Sequence, residues 1–302
     1  MPTPPLLFVG IDAGGTKTTV YAATADGQTH IESRGGPANL RVQGVTSAYA
    51  TITALVDEVQ DTLDLPLGGL CVGAAGAGDA SLRAQLHQQL QYWSDVPLTV
   101  TTDADIALHA ALGTAPGYLI IAGTGSIVYG RAADGAIHRA GGWGRVLGDD
   151  GSGTALGRAV LRAVAAAFDG GPATMLTALV QRRHPAHQLA DVLNIAFSTP
   201  SLAVFAPLAF EAAEARDAVA VALISDAAAQ LAMHVLRLAH AQPAIPRRVF
   251  LTGGVMQQPP FRHALHDALT AAVSGWRLTL AATAPHRGAW AIAAASAASP
   301  PA

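Results

Sequence analysis

An acid at the end of an apolar run, followed by two glycines, a threonine and a lysine, is the first group in this chain that could do chemistry. The segment is Ile11-Asp12-Ala13-Gly14-Gly15-Thr16-Lys17. Glycine lets the backbone approach a ligand closely and adopt unusual dihedrals, so the N–H groups from Gly14 to Lys17 could converge on a phosphate. Asp12 could hold Mg²⁺ through water, because that ion keeps much of its hydration shell and takes few carboxylates. The residues after Lys17 continue as a strand instead of opening a helix. That excludes a Walker A loop and a dinucleotide fingerprint. The plainer alternative is an ordinary glycine hairpin.

A second glycine loop, Gly123-Thr124-Gly125-Ser126, repeats the first. Ile11–Gly27 and Leu119–Gly135, compared at a constant offset of 108, are identical at seven of 17 positions: Gly15/Gly123, Thr16/Thr124, Val20/Val128, Tyr21/Tyr129, Ala25/Ala133, Asp26/Asp134 and Gly27/Gly135. Each copy has an apolar run, a Gly/Thr turn, an alternating run rich in β-formers and a closing Asp-Gly turn, which predicts a hairpin. Duplication predicts two domains facing each other across a cleft, with both loops gripping one polyphosphate and the Thr16 and Thr124 hydroxyls adding donors. At that offset Asp12 aligns with Ile120, so only the first copy keeps an acid.

Three further groups lie outside the repeat. Thr102-Asp103-Ala104-Asp105 stands at a strand-to-helix junction. A carboxylate there is favoured in its charged form by the helix N-terminus and could accept a proton from an attacking hydroxyl. Spacing leaves open which aspartate does so, and either could be a helix cap. Gly141-Gly142-Trp143-Gly144, then Gly148-Asp149-Asp150-Gly151-Ser152, would suit a polar ring, with backbone donors, carboxylates for hydroxyls and an apolar wall. Packing for Trp143 and capping of a helix from Thr154 for the two acids is the alternative. Val249–Val255 places Gly253 and Gly254 after a strand, permitting a flat base to approach the backbone. The pairs His184/His187 and His263/His266 lack the neighbouring acids of a metal site and read as solvated helix faces.

The elements that must position these groups alternate between strand and helix. Helical patterns cover Val45–Leu63, Ser81–Trp93, Asp103–Leu112, Thr154–Phe168, Met175–Arg183, Leu189–Ala196, Leu202–Ala215, Ala218–Ala241, Phe261–Ala272 and Gly288–Ala298. Strands are expected at Leu70–Gly76, Leu98–Thr102 and Arg248–Thr252. This is an α/β chain with mixed sheets. The boundary is placed in Gly113–Gly117, giving domains 1–115 and 116–302, with the terminal helix free to pack back on the first. In 302 residues, 51% hydrophobic content and 13% charged supply two cores. A net charge of −3 argues against nucleic acid or an anionic membrane as partner. No apolar stretch is read as reaching the ~18 residues of a membrane span, and no signal h-region is read near the N-terminus. A soluble cytoplasmic protein is the expectation. The single cysteine, Cys71, reads as a small buried hydrophobe and excludes an intrachain disulfide.

Taken in order and spacing, GIDAGGTKT, TTDAD, IIAGTGS, GGWGRVLGDDGSG and VFLTGGV resemble the N-acetylglucosamine kinases. These belong to the actin–hexokinase fold of duplicated ribonuclease H-like domains with a central cleft, and to a superfamily that also holds the activator ATPases of benzoyl- and hydroxyacyl-CoA reduction. The likeness spans Phe8–Val255. It implies ATP and Mg²⁺ as cofactors, and an amino sugar, foremost N-acetyl-D-glucosamine, phosphorylated on its 6-hydroxyl. It also implies that Asp103 is the catalytic base, that Asn39, Gly142, Trp143, Gly144 and Asp149 hold the sugar, and that Thr16 and Thr124 contact the ATP phosphates. Gly253 falls in the adenosine motif, and adenine contacts are sought in Leu202–Ala215. Asp150 departs from the family, which commonly has Glu there. Glucosamine or another hexose is the alternative substrate, and a homodimer is left open. An activator ATPase would share a cluster between subunits through two cysteines from each, which Cys71 alone cannot supply. A glucokinase of the repressor/kinase class would carry a cysteine-rich zinc loop, absent here. A non-catalytic sugar or nucleotide sensor would have no need of Asp103.

Overall fold

The computed structural model describes residues 4–298. The chain divides into two compact units. The first runs to Thr114 and takes in the chain again from Ala281, and the second is Ala115–Leu280. The segment after Leu280 thus belongs with the N-terminal unit.

The first unit contains β1 (Leu7–Ala13), β2 (Thr18–Thr24), β3 (His30–Gly35), α1 (Val45–Leu63), β4 (Leu67–Ala74), α2 (Ala80–Trp93), β5 (Leu98–Thr102) and α3 (Asp103–Leu112). Its sheet has the order β3-β2-β1-β4-β5. β1 is antiparallel to β2 and parallel to β4, so it lies at the centre. The central strands are apolar on both faces and almost wholly buried, as a sheet covered on both sides requires. In α1, Val45, Ala48, Ile52, Leu55, Val56 and Val59 recur at helical spacing and are all buried. Asp79 caps α2 by accepting from the N–H groups of Ser81 and Leu82.

The second unit contains β6 (Gly117–Ala122), β7 (Ser126–Arg131), β8 (Ile137–Gly141), α4 (Gly144–Leu147), α5 (Gly153–Phe168), α6 (Met175–Arg183), α7 (Leu189–Ser198), α8 (Ala206–Glu214), α9 (Ala218–Ala241), β9 (Arg248–Thr252), α10 (Pro259–Ala272) and β10 (Arg277–Leu280). Its sheet order, β10-β9-β6-β7-β8, repeats the first with the same senses of pairing. The duplication seen in the hairpins therefore extends through all five strands.

The repeat register needs one correction. Ile11 pairs with Val20 in the first hairpin, whereas Ile120 pairs with Val128 in the second. The second strands match at an offset of 108 and the first strands at 109, because the second turn is one residue shorter. Asp12 therefore corresponds to Ile121, not Ile120. The second copy still lacks the acid.

The expectation of no long apolar stretch is also corrected. Among the described residues α9, with 24 residues, is long and apolar enough to cross a membrane. Its buried residues, from Ala220 through Leu231 to Leu238, form part of the core of the second unit. Leu202–Ala215 begins as a 3₁₀ turn over Leu202–Phe205 and continues as α8. His184 is no solvated face, since it lies against the Phe205 ring at 5.3 Å.

The last helix, α11 (Pro285–Ala298), packs on α3, β1 and β4. It approaches so closely that a Cβ on Gly10 would overlap the backbone nitrogen of Trp290. Arg287 stacks over Tyr21 at 4.3 Å and pairs with Glu32 at 2.8 Å, while the Trp290 indole N–H donates to the Ala23 carbonyl at 3.3 Å. Phe8, Cys71, Ile106, Ala289 and Ala293 fill this interface.

Candidate active site

In the first unit, four chain segments meet at the β1 terminus. Gly14–Lys17 form the four-residue turn to β2, closed by the Gly14 N–H donating to the Lys17 carbonyl at 3.0 Å. Gly15, Thr16 and Lys17 are exposed. The loop before α1 is tied down behind them. Ala38 N–H donates to the Gly14 carbonyl and Leu40 N–H to the Ala75 carbonyl, each at 2.9 Å, and the Thr18 hydroxyl donates to the Gly36 carbonyl at 2.8 Å. This places Asn39 beside the turn, with its amide nitrogen 3.7 Å from where a Gly15 Cβ would stand. Asn39 Oδ1 accepts from the N–H groups of Arg41 and Val42, which fixes the side chain and turns the amide donors outward.

The two aspartates of the β5–α3 junction part company. Asp105 is committed to its own helix. Its Oδ2 accepts from the Thr101 and Thr102 hydroxyls and the Thr102 N–H, while Thr102 accepts from the Asp105 N–H. This is a capping box with Thr102 as N-cap. Among the described residues Asp103 accepts only local backbone N–H donors, that of Ala104 at 3.1 Å among them. Burial raises its pKa, opposed by those backbone bonds and aided by the Asp105 charge. Asp12 is pushed up to about 6 by burial first, then by the Asp103 charge, against the pull of Lys17. A partly buried Asp12 and a more accessible Asp103, both with raised proton affinity, are a place where a cation is welcome. The donor set suits Mg²⁺ held by one carboxylate and otherwise by water and phosphate oxygen.

In the second unit the glycine loop is braced from several sides, with Thr124 exposed. Its three-residue turn is closed by the Gly123 N–H donating to the Gly125 carbonyl at 2.9 Å. The N–H groups of Gly153 and Thr154, at the start of α5, donate back to the carbonyls of Gly123 and Thr124 at 2.7 and 3.1 Å. Ser152, not either aspartate, caps that helix, which begins at Gly153. Asp149, at φ 63°, accepts from the Ser126 N–H at 3.3 Å, and a Cβ on Gly125 would stand 3.1 Å from its carboxylate. Gly253 has φ 102°, and a Cβ there would overlap the Ala122 carbonyl; only glycine fits.

Two cavities of the second unit meet at Thr124. One, of about 380 Å³, is lined by Gly123, Gly153, Ala206, Phe210, Gly254 and Val255. Its apolar wall and glycine floor suit a flat base, and part of it comes from the α8 region where adenine contacts were sought. The other, of about 720 Å³, is lined by Asp149, Thr154, Arg145, Arg158, Phe197 and Ser201 among others. Sequence reasoning missed Arg145, Arg158 and Phe197, because nothing in spacing links α4, α5 and α7. Trp143 is 54% exposed, with its ring edge-on to His234 at 5.5 Å. Gly142 and Gly144 flank it at positive φ. His234 was missed too, although a histidine set among the buried apolar positions of α9 was a signal. Among the described residues no three His, Cys, Asp or Glu side chains gather as a metal cage.

A model of the BadF/BadG/BcrA/BcrD ATPase family matches residues 9–293. The chain belongs to that family. The N-acetylmuramic acid/N-acetylglucosamine kinase of Clostridium acetobutylicum is 34% identical over 167 residues, 53% of this chain and 54% of that protein, so the match spans about half the length of that relative. The N-acetyl-D-glucosamine kinase of Dictyostelium discoideum is 31% identical over 245 residues, 74% of this chain and 76% of its own. The solved structure of a protein provisionally assigned as an N-acetylglucosamine kinase, from Chromobacterium violaceum, superposes with a TM-score of 0.74 at 26% identity, covering 95% of this chain and 99% of the other. A glucokinase of Streptomyces griseus shares the fold, with a TM-score of 0.56 at 19% identity over 95% of this chain and 98% of the other. Cys71, the family member's one cysteine, lies wholly buried in β4, where burial pushes its thiol up to about 12.

Proposed function

We propose that the chain transfers the γ-phosphoryl group of ATP to the 6-hydroxyl of an amino sugar, with N-acetyl-D-glucosamine as the substrate. The observation that carries this reading is the division between Asp103 and Asp105. One carboxylate is consumed as a cap, and its neighbour is held on a rigid helix start with its proton affinity raised, as a general base requires. Asp103 takes the proton of the sugar 6-hydroxyl as that oxygen bonds to the γ-phosphorus. The bond from phosphorus to the β,γ-bridging oxygen breaks, and ADP leaves with the electron pair.

The other roles follow from the local geometry. Gly123, Thr124, Gly125 and Ser126 hold phosphate by backbone and hydroxyl donors, and Gly253 and Gly254 admit the adenosine. Gly14, Gly15, Thr16 and Lys17 supply the second phosphate loop. Asn39, Gly142, Trp143, Gly144 and Asp149 hold the sugar, with Asp103 touching the hydroxyl that reacts. Asp12 holds Mg²⁺ through water, and the ion when bound neutralises charge developing on the phosphate oxygens. The relatives' names support the sugar class, and the buried Cys71 disfavours a cluster-bearing activator. A cytoplasmic setting, where ATP is available, goes with this reading.

A coupled assay over N-acetylglucosamine, glucosamine, N-acetylmuramic acid and glucose, with and without ATP, tests it. ATP turnover should require sugar and be fastest with N-acetylglucosamine. Turnover that ignores every sugar would mark an activator ATPase, and none under any condition would mark a sensor.

A further inference from the structure

His234 is 4% exposed in the core of the second unit, and a buried imidazole must find a partner. Its partner is Asp150, with Nε2 3.0 Å from Oδ2. The carbonyl of Asp150 in turn accepts from the Ser126 hydroxyl at 2.7 Å. The same imidazole lies edge-on to Trp143 at 86° and 3.4 Å from where a Gly141 Cβ would stand. One and two turns earlier on the same face of α9, Leu231 and Ala227 leave room only for a glycine at 151. Ala227, Leu231 and His234 follow the i, i+4, i+7 spacing of one helix face. That face supports both ends of the segment 141–151, with His234 as its polar member.

We propose that His234 is a positioning residue for sugar recognition. Through Asp150 and Trp143 it fixes the loop whose Gly142, Trp143, Gly144 and Asp149 hold the sugar. This rests on the amino-sugar kinase reading. Asp149 stands at φ 63°, a conformation that non-glycine residues hold only when neighbours over-determine it. The Asp150–His234 bond on one side and the Ser126 N–H on the other supply that restraint. The shorter acid at position 150 thus acquires a role: it reaches inward to α9, and the adjacent Asp149 is left for the ligand. The phosphate loop shares the Ser126 bonds to Asp149 and Asp150, but it is held as well by the N–H groups at the start of α5 and packs against Gly253, so the effect falls more on sugar than on nucleotide.

His234→Phe keeps a ring against Trp143 and removes the N–H, whereas His234→Gln can still donate to Asp150. His234→Phe should raise the KM for N-acetylglucosamine about tenfold or more, the range for a lost hydrogen bond to a charged group, with the KM for ATP within about twofold. His234→Gln should recover most of the loss. Equal rises in both KM values, or a sugar KM that does not move, would overturn the proposal. Hydrogen exchange decides the structural link without activity: the peptide covering 141–151 should exchange faster in His234→Phe and return towards the parent in His234→Gln. Unchanged exchange there would overturn it as well. Should the Phe variant not fold, the same two measurements on Asp150→Ala, which removes the carboxylate that His234 meets, decide, and a sugar KM and a 141–151 exchange rate that both stay at the parent values would sink it. If the parent protein phosphorylates no amino sugar, the kinase reading fails while the exchange result still reports on the loop.

Discussion

The two glycine loops occupy the same place in two sheets of the same topology, yet they are built for different work. The first is a four-residue turn with Gly15, Thr16 and Lys17 exposed in its unit, backed among the described residues by the loop before α1. The second is one residue shorter and is gripped by Asp149, the start of α5 and Gly253. The acids differ in the same way. The β1 end carries Asp12 and faces Asp103, whereas the corresponding position in β6 is Ile121. Duplication supplied two frames. Divergence put the charge that can hold a cation and take a proton on one, and the cavities that can hold a nucleotide on the other.

The largest expected effect tests the acid side. Asp103→Asn keeps shape but takes no proton, so kcat should fall about 10²-fold or more, with sugar KM moved far less. Asp105→Asn should do the opposite, keeping kcat while lowering unit 1 stability by about 1 kcal/mol through the weakened cap. Reversed results would exchange the two roles.

Next comes the contrast between loops. Gly253→Ala forces a Cβ into the Ala122 carbonyl at a left-handed φ, with about 1–3 kcal/mol of backbone strain, and ATP affinity measured by calorimetry should fall with it. Gly15→Ala meets nothing nearer than the Asn39 amide at 3.7 Å, so stability should stay within about 0.5 kcal/mol. If both variants melt alike, the loops are not differently supported.

A pH effect sharpens the charge comparison. The folded pKa of Asp12, about 6, lies above its ordinary 3.8, so the folded state holds this proton more tightly than the unfolded chain. The stability this gives is complete below about pH 4 and is lost as pH rises through about 6. At pH 7 the ionised group costs on the order of 1–3 kcal/mol. Asp12→Asn should therefore raise Tm at pH 7 by a few degrees, with the gap closing near pH 4. Added Mg²⁺ and ATP should narrow the gap at pH 7 by stabilising the parent; a gap independent of both would remove Asp12 from the metal site.

The smallest effect concerns the strands behind the loops. Tyr118 in β6 occupies the place of Val9 in β1, and both are fully buried. The Tyr118 hydroxyl has no hydrogen-bond partner among the described residues, and burial pushes its pKa up to about 12. Tyr118→Phe should leave Tm unchanged or raise it slightly. A clear loss would mean that the second sheet depends on that hydroxyl.

The sequence by itself determined what is local or periodic. The apolar period of α1 and α9 and the strand patterns before Thr102 and Gly253 were legible at or near their bounds. So were the paired hairpins, because side-chain alternation and turn chemistry act over a few residues. The edge strands His30–Gly35, Ile137–Gly141 and Arg277–Leu280 were not. They are short, and of all their residues Gly141 alone is buried, so they carry no buried pattern to read and exist because a neighbouring strand offers them hydrogen bonds. The site divides likewise. Residue type and order brought forward Asp12, Asp103, Asp149 and the glycines. Tertiary structure alone decided that Asp105 is spent on its cap, that the second turn is a residue shorter, and that α11 belongs with the first unit. It also decided that His234, 84 positions from Asp150 along the chain, is the partner of that carboxylate. Hydrogen bonds between distant elements depend on packing, and packing leaves no local trace in the chain.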